Sequence, residues 1–175
     1  TPLYSSAASD VYKRQVTRVA PSFLRFGNFE ALAAQKDREK LQQLITWTIQ
    51  RFYPEIKGED LIITWFKEVV SKTALLMVEW QRIGFVHGVM NTDNMSILGL
   101  TIDYGPFSFL DDYDHNFTPN TTDLPGRRYA FGNQPSIAYW NLGKLANAIS
   151  ILFEDHEPLE AALNSYEEIF WNAYY

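Results

Sequence analysis

Asp93 and Asn94 stand side by side, and Asp103 follows Asn94 by nine residues within the stretch HGVMNTDNMSILGLTIDYG, residues 87–105. A carboxylate and an amide carbonyl are hard oxygen donors of the kind Mg²⁺ takes, together with phosphate oxygens, in a near-octahedral shell. Asp93, next to Asn94, is placed to act as a base or as a further metal partner. The same residue types also build turns, because Asn and Asp bond their own backbone and Gly relieves steric limits. Turn chemistry and a metal–phosphate site therefore both account for the spacing. His87 at the head of the stretch reads as a loop-orienting hydrogen-bonding group rather than a ligand.

Several elements must position these residues. Apolar positions Leu41, Leu44, Ile45, Thr48 and Ile49 recur at helical spacing, predicting a helix from Asp37 to about Phe52 that Pro54 stops. After Gly58 the run EDLIITWFKEVVSKTALLMVEWQRIG predicts a long buried helix with acids at its start and Gly84 at its end. Short strands are expected near 95–98 and 100–103, joined through Gly99, so that Asn94 and Asp103 emerge at one end of a hairpin and Gly105 turns the chain at its mouth. Residues 16–27 read as two extended pieces broken at Pro21 and ended at Gly27. Residues 106–135 form a long polar loop. Helices follow at roughly 136–153 and 157–173, with Pro158 between them, and GNQP (132–135) builds the start of the first. Trp65, Trp80 and Trp140 fall at helical core positions. His115, His156 and the cluster DDYDH at 111–115 read as solvated surface. The fold class is α+β, mostly helical, with a small β element carrying the polar residues.

The chain has 175 residues, 46% of them hydrophobic and 15% aromatic, enough to pack a core. A net charge of −6 with no compensating basic block argues against a nucleic-acid surface. With no cysteine, disulfides and thiolate metal sites are excluded. No apolar run reaches membrane-spanning length, which argues against a membrane partner. Residues 1–15, TPLYSSAASDVYKRQ, are small, polar and aperiodic, and read as a non-native leader to residues 16–175.

The order of these motifs resembles kinase-like phosphotransferases, which place a histidine, an asparagine and Asp-Phe-Gly along such a helix–loop–hairpin. His87 and Asn94 match, Asp103-Tyr104-Gly105 stands for the last element, and Val89 takes the place of the usual catalytic aspartate. One family matches the departures too. TRVAPSFLRFGNFE (17–30), HGVMNTDNMSILGLTIDYGPFSFLD (87–111) and YAFGNQPSIAYWNLGKLA (129–146) resemble the SelO (YdiU) protein adenylyltransferases.

That resemblance implies a protein-kinase-like fold, represented here mainly by the helical C-lobe with most of the N-lobe missing. It implies ATP bound in a flipped orientation and AMP transferred to Ser, Thr or Tyr hydroxyls of proteins, with Mg²⁺ or Mn²⁺ as cofactor. It casts Asp93 as proton acceptor, Asn94 and Asp103 as metal ligands, and Arg18, Arg25 and Asp103 as nucleotide contacts. Arginine suits phosphate because its fixed charge and donor fork pair with the oxygens. Seven residues along one straight strand would turn Arg18 and Arg25 to opposite faces, so the break at Pro21 must bring them together. The family's glycine-rich loop, strand lysine and partner glutamate would lie upstream of Val16, and Lys67 and Lys72 on a helix are poor substitutes. The chain alone is therefore expected to be weakly active or inactive. The expected location is bacterial cytoplasm, or mitochondria for a eukaryotic source. Kinase-type γ-phosphoryl transfer and a non-catalytic nucleotide-binding remnant are the competing readings.

Overall fold

The computed structural model describes residues 17–175; the leader assigned to residues 1–15, and Val16, lie outside them. Five helices and a two-stranded antiparallel sheet are present among the described residues: α1 (Phe26–Ala34), α2 (Arg38–Phe52), α3 (Leu61–Ile83), β1 (Phe85–Val86), β2 (Ser108–Phe109), α4 (Gln134–Ser150) and α5 (Glu157–Tyr174). The α+β reading holds.

Local chemistry explains the boundaries. Asp37 accepts a hydrogen bond from the Lys40 amide at 3.0 Å, satisfying a free N–H at the start of α2. Gly84 ends α3 in the left-handed conformation (φ 68°), and its amide closes on the Trp80 carbonyl. The Gly84 carbonyl then accepts from the Leu110 amide at 2.8 Å, which starts the β1–β2 pairing of Phe85 with Phe109 and Val86 with Ser108. Pro158 sits in the first turn of α5 rather than between helices, because proline's missing N–H costs nothing there. Pro135 does the same for α4.

One core unites the helices. Phe26 and Phe29 of α1, Leu41 and Ile45 of α2, Trp65, Phe66 and Met77 of α3, Leu142 and Leu145 of α4, and Leu159 and Phe170 of α5 are all buried in it. Trp65 and Trp80 are core residues as the spacing predicts, but Trp140 is 45% exposed. Cations draw it outward: Arg128 and Lys144 lie 4.6 and 4.8 Å from its ring centre.

Two predicted β elements are replaced. Residues 95–103 contain no hairpin; a 3₁₀ turn spans Thr92–Asn94, and Ser96 instead forms an isolated antiparallel bridge with Arg25. Met95, Ser96 and Ile97 are buried in succession, and Ile102 further on, so the segment is packed into the core without forming a local ladder. Gly27 does not end a strand but is the second residue of α1. The loop 106–133 is not structureless, since it holds β2 and 3₁₀ turns at Thr121–Asp123 and Phe131–Asn133.

Candidate active site

The polar residues gather where the segment leading into α1 crosses the loop after β1. The Phe26 amide donates to the Met95 carbonyl at 3.0 Å, and the Ile97 amide to the Leu24 carbonyl at 3.2 Å. This short non-local bridge stands where the hairpin was expected. Arg25 then reaches Asp103, with Nη2 2.8 Å from both carboxylate oxygens. The pair is about one-third exposed on each side, so it is screened less than a surface pair but is not dry. Asp103 Oδ2 is itself buried and accepts no well-aligned hydrogen bond.

Asp103 also carries the turn that the sequence assigns to Gly105. Its φ is +55°, whereas Gly105 does not take the left-handed conformation. Aspartate is one of the few side chains that tolerates this region. Two contacts fix it there: Arg25 on the carboxylate, and His87 on the preceding carbonyl.

His87 is fully buried. Its Nε2 bonds the Ile102 carbonyl at 2.7 Å, and its Nδ1 accepts from the Val89 amide at 3.4 Å. Those partners place the proton on Nε2 of a neutral ring. The ring stacks on Trp80 with centroids 5.5 Å apart. Burial pushes the imidazole below its ordinary pKa, opposed by the Ile102 bond and the nearby Asp103 charge. His87 thus joins the loop at 87 to the segment at 102, the orienting role read from the sequence.

Asn94 donates its side-chain amide to the Val89 carbonyl at 2.8 Å. That bond commits the nitrogen and leaves the carbonyl oxygen as the group the side chain can offer to a ligand. With the buried Asp103 Oδ2, the available donors are hard oxygens, which fit a Mg²⁺-type ion and not a soft one. No cluster of three or more His, Asp or Glu side chains with metal-binding geometry occurs among the described residues. Asp93 is exposed, and its carboxylate rests against Gly27 of α1.

The two arginines converge. Arg18 donates to the Thr101 carbonyl at 2.8 Å, bonds the Tyr104 hydroxyl, and lies 5.2 Å from the Tyr104 ring centre. Both guanidinium groups therefore meet the segment Thr101–Tyr104, although no strand connects them. Lys67 and Lys72 lie on α3, and Lys72 Nζ stands 4.0 Å from the Tyr53 ring centre. His115 and His156 are exposed, as read; the His115 ring contacts Tyr113 and Phe131.

Three further residues hold this arrangement, one of them in the GNQP stretch that the resemblance places close to the site. The buried Gln134 amide donates to the Phe85 carbonyl at 2.8 Å while its oxygen accepts from the His87 amide at 2.9 Å. One turn pair further along α4, buried Asn141 donates to the Met90 carbonyl at 2.8 Å. Gln134 and Asn141 are seven apart, two helical turns, and so face one side. The polar type at an otherwise apolar face was the available signal. Gly27 is the third; a glycine in a helix's first turn marks a close approach.

The described residues form a mostly helical α+β domain that sets Asp93, Asp103, Asn94, Arg18 and Arg25 on loops and element ends. The chain matches the model of the family described as Protein adenylyltransferase SelO over residues 9–175. It belongs to the SelO family. The Protein nucleotidyltransferase YdiU of Cytophaga hutchinsonii is 61% identical over 160 residues, covering 91% of this chain and 31% of the relative. Proteins of the same name from Xanthomonas campestris pv. campestris and Xanthomonas oryzae pv. oryzae are each 57% identical over 157 residues, covering 89% of this chain and 30% of theirs. The chain thus spans about a third of the length of the curated relatives it matches. No helix among the described residues is long and apolar enough to cross a membrane.

Proposed function

We propose that the full-length protein carrying this sequence transfers AMP from ATP to Ser, Thr or Tyr hydroxyls of proteins, on a protein-kinase-like scaffold in the bacterial cytoplasm. Family membership supports nucleotidyl transfer. The observation that carries the reading here is the 2.8 Å pair between Arg25 and Asp103, which couples a phosphate-binding cation to a hard carboxylate ligand.

In this reading Arg18 and Arg25 bind the terminal phosphates of a flipped ATP, their fixed charge matching the oxygens. The α-phosphorus is then the exposed electrophile. The acceptor hydroxyl loses its proton toward Asp93, attacks that phosphorus, and pyrophosphate leaves. Asn94 and Asp103 would hold Mg²⁺ or Mn²⁺, which when bound supplies charge neutralisation on the phosphate oxygens. His87 contributes indirectly by tying the Ile102 carbonyl, just before Asp103, to the Val89 amide of its own loop. Phosphate arriving beside Arg25 competes with its hold on Asp103, freeing that carboxylate for the cation.

ATP labelled at the α or the γ position tests this directly. AMP transfer delivers only the α label to protein. Arrival of the γ label instead would replace the proposal with kinase chemistry.

A further inference from the structure

The carboxylate of Asp93 lies where a side chain on residue 27 would go. A Cβ built on Gly27 would stand 2.0 Å from Asp93 Oδ1, 3.1 Å from Cγ and 3.6 Å from Cα. No carbon–oxygen contact survives at the first of these distances, since nonbonded atoms pack near 3.5 Å. Gly27 is not there for its backbone: it sits in α1 with ordinary negative φ, where alanine is the better helix former. Among the helical glycines, Gly143 of α4 meets nothing closer than Leu163 at 3.9 Å, so the constraint at Gly27 is particular to that place.

The seating is imposed from both sides. Leu24 and Phe26 are bonded to Ile97 and Met95, which fixes the start of α1 against the Thr92–Asn94 turn. The Asn28 side chain accepts from the Arg25 amide at 2.9 Å, closing the first turn of the helix. Asp93 has a single methylene between backbone and carboxylate, so it can yield to a new methyl group only by swinging its oxygens away.

We infer that Gly27 is a positioning residue for Asp93, holding its carboxylate at the start of α1 by leaving the volume a side chain would fill. The role rests on the reading of Asp93 as proton acceptor, and it acts through Asp93 rather than by touching substrate. LRFG, residues 24–27, therefore serves both carboxylates of the site, Arg25 gripping Asp103 and Gly27 seating Asp93.

Two measurements test it. The contact is read in this chain by a double-mutant cycle of Gly27→Ala and Asp93→Ala, scored by urea midpoints. Gly27→Ala should raise the midpoint in the Asp93→Ala background and fail to raise it when Asp93 is present; equal changes in both backgrounds overturn the contact. The role is read in the full-length protein by steady-state AMP transfer. Gly27→Ala should lower kcat about tenfold or more, with KM for ATP within twofold, while Gly143→Ala leaves both unchanged. A wild-type kcat in Gly27→Ala overturns the positioning role. If the unsubstituted full-length protein transfers no AMP, the adenylyltransfer reading and this role fall together, and the cycle still decides the contact.

Discussion

From Phe85 to Met90 the chain is held from beneath by side chains, two of them, Gln134 and Asn141, fully buried. Gln134 grips Phe85 and His87, Asn141 grips Met90, and Asn94 closes on Val89. The arm at Thr17–Val19 lies exposed on the surface, and Arg18 is held through Thr101 and Tyr104. Both regions serve one site, yet they are built from different energetics. The loop's bonds to Gln134 and Asn141 are buried and each is costly to lose, because an abandoned partner keeps its full desolvation penalty. The arm's contacts trade with water and salt at little net cost. Under the proposed function, the geometry of the loop would come from α4 and the core, while affinity for the nucleotide would be tuned at the rim without disturbing it.

The sharpest way to break this contrast is at Asp103, where the two regions meet. Asp103→Asn keeps a residue that tolerates the left-handed backbone but removes the charge that pairs with Arg25. In the full-length protein it should lower AMP transfer roughly 100-fold or more, the scale on which losing a cation's charge stabilisation is felt. Activity within a factor of three of wild type would remove Asp103 from the chemistry.

Next in size is the brace. Gln134→Leu leaves the His87 amide and the Phe85 carbonyl unpartnered in the core. At about 1–3 kcal/mol for each abandoned group, the chain should lose about 2–6 kcal/mol by urea denaturation. Arg18→Ala should do the reverse. It should change stability by less than about 0.5 kcal/mol, as exposed substitutions do, while raising KM for ATP in the full-length protein about tenfold, as loss of a charged hydrogen bond does. If Arg18→Ala unfolds the chain, or Gln134→Leu leaves it untouched, the division between frame and rim is wrong.

The smallest effect concerns pH. Burial holds the folded-state pKa of His87 below the ordinary imidazole value, so the unfolded chain binds the extra proton first as pH falls. Stability should therefore decline below about pH 6.5 and level off once the folded imidazole also protonates. The slope of unfolding midpoint against pH in that window should be shallower in His87→Gln.

Most helices were legible because their signals are local. Asp37 and Gly84 cap as their types predict, and the apolar spacing of Leu41 to Ile49 describes the buried face of α2. The site was legible as a set of residues but not as a geometry. Ser96 pairs with Arg25, seventy-one positions away, and no window of sequence contains both. The hairpin expected at 95–103 does not form, because this short segment is packed into the core and its pairing partner is Arg25, from a distant part of the chain. Gly105 looked like the turn residue until Asp103 proved to carry the strain, a choice made by His87 and Arg25 from elsewhere in the chain. Gln134 and Asn141 could be noticed as polar residues on an apolar face, but what they grip is set by tertiary packing.

The bond from the His87 amide to the Gln134 side chain has a consequence for how the molecule breathes. In a ladder, an amide is released when its neighbouring strand peels away. Here the proton of residue 87 can exchange with solvent only when α4 withdraws its first turn, so its exchange rate reports the opening of that helix rather than of the sheet beside it. A single slowly exchanging amide, one residue past a two-residue strand too short to protect anything by itself, would time the motion that loosens the whole loop.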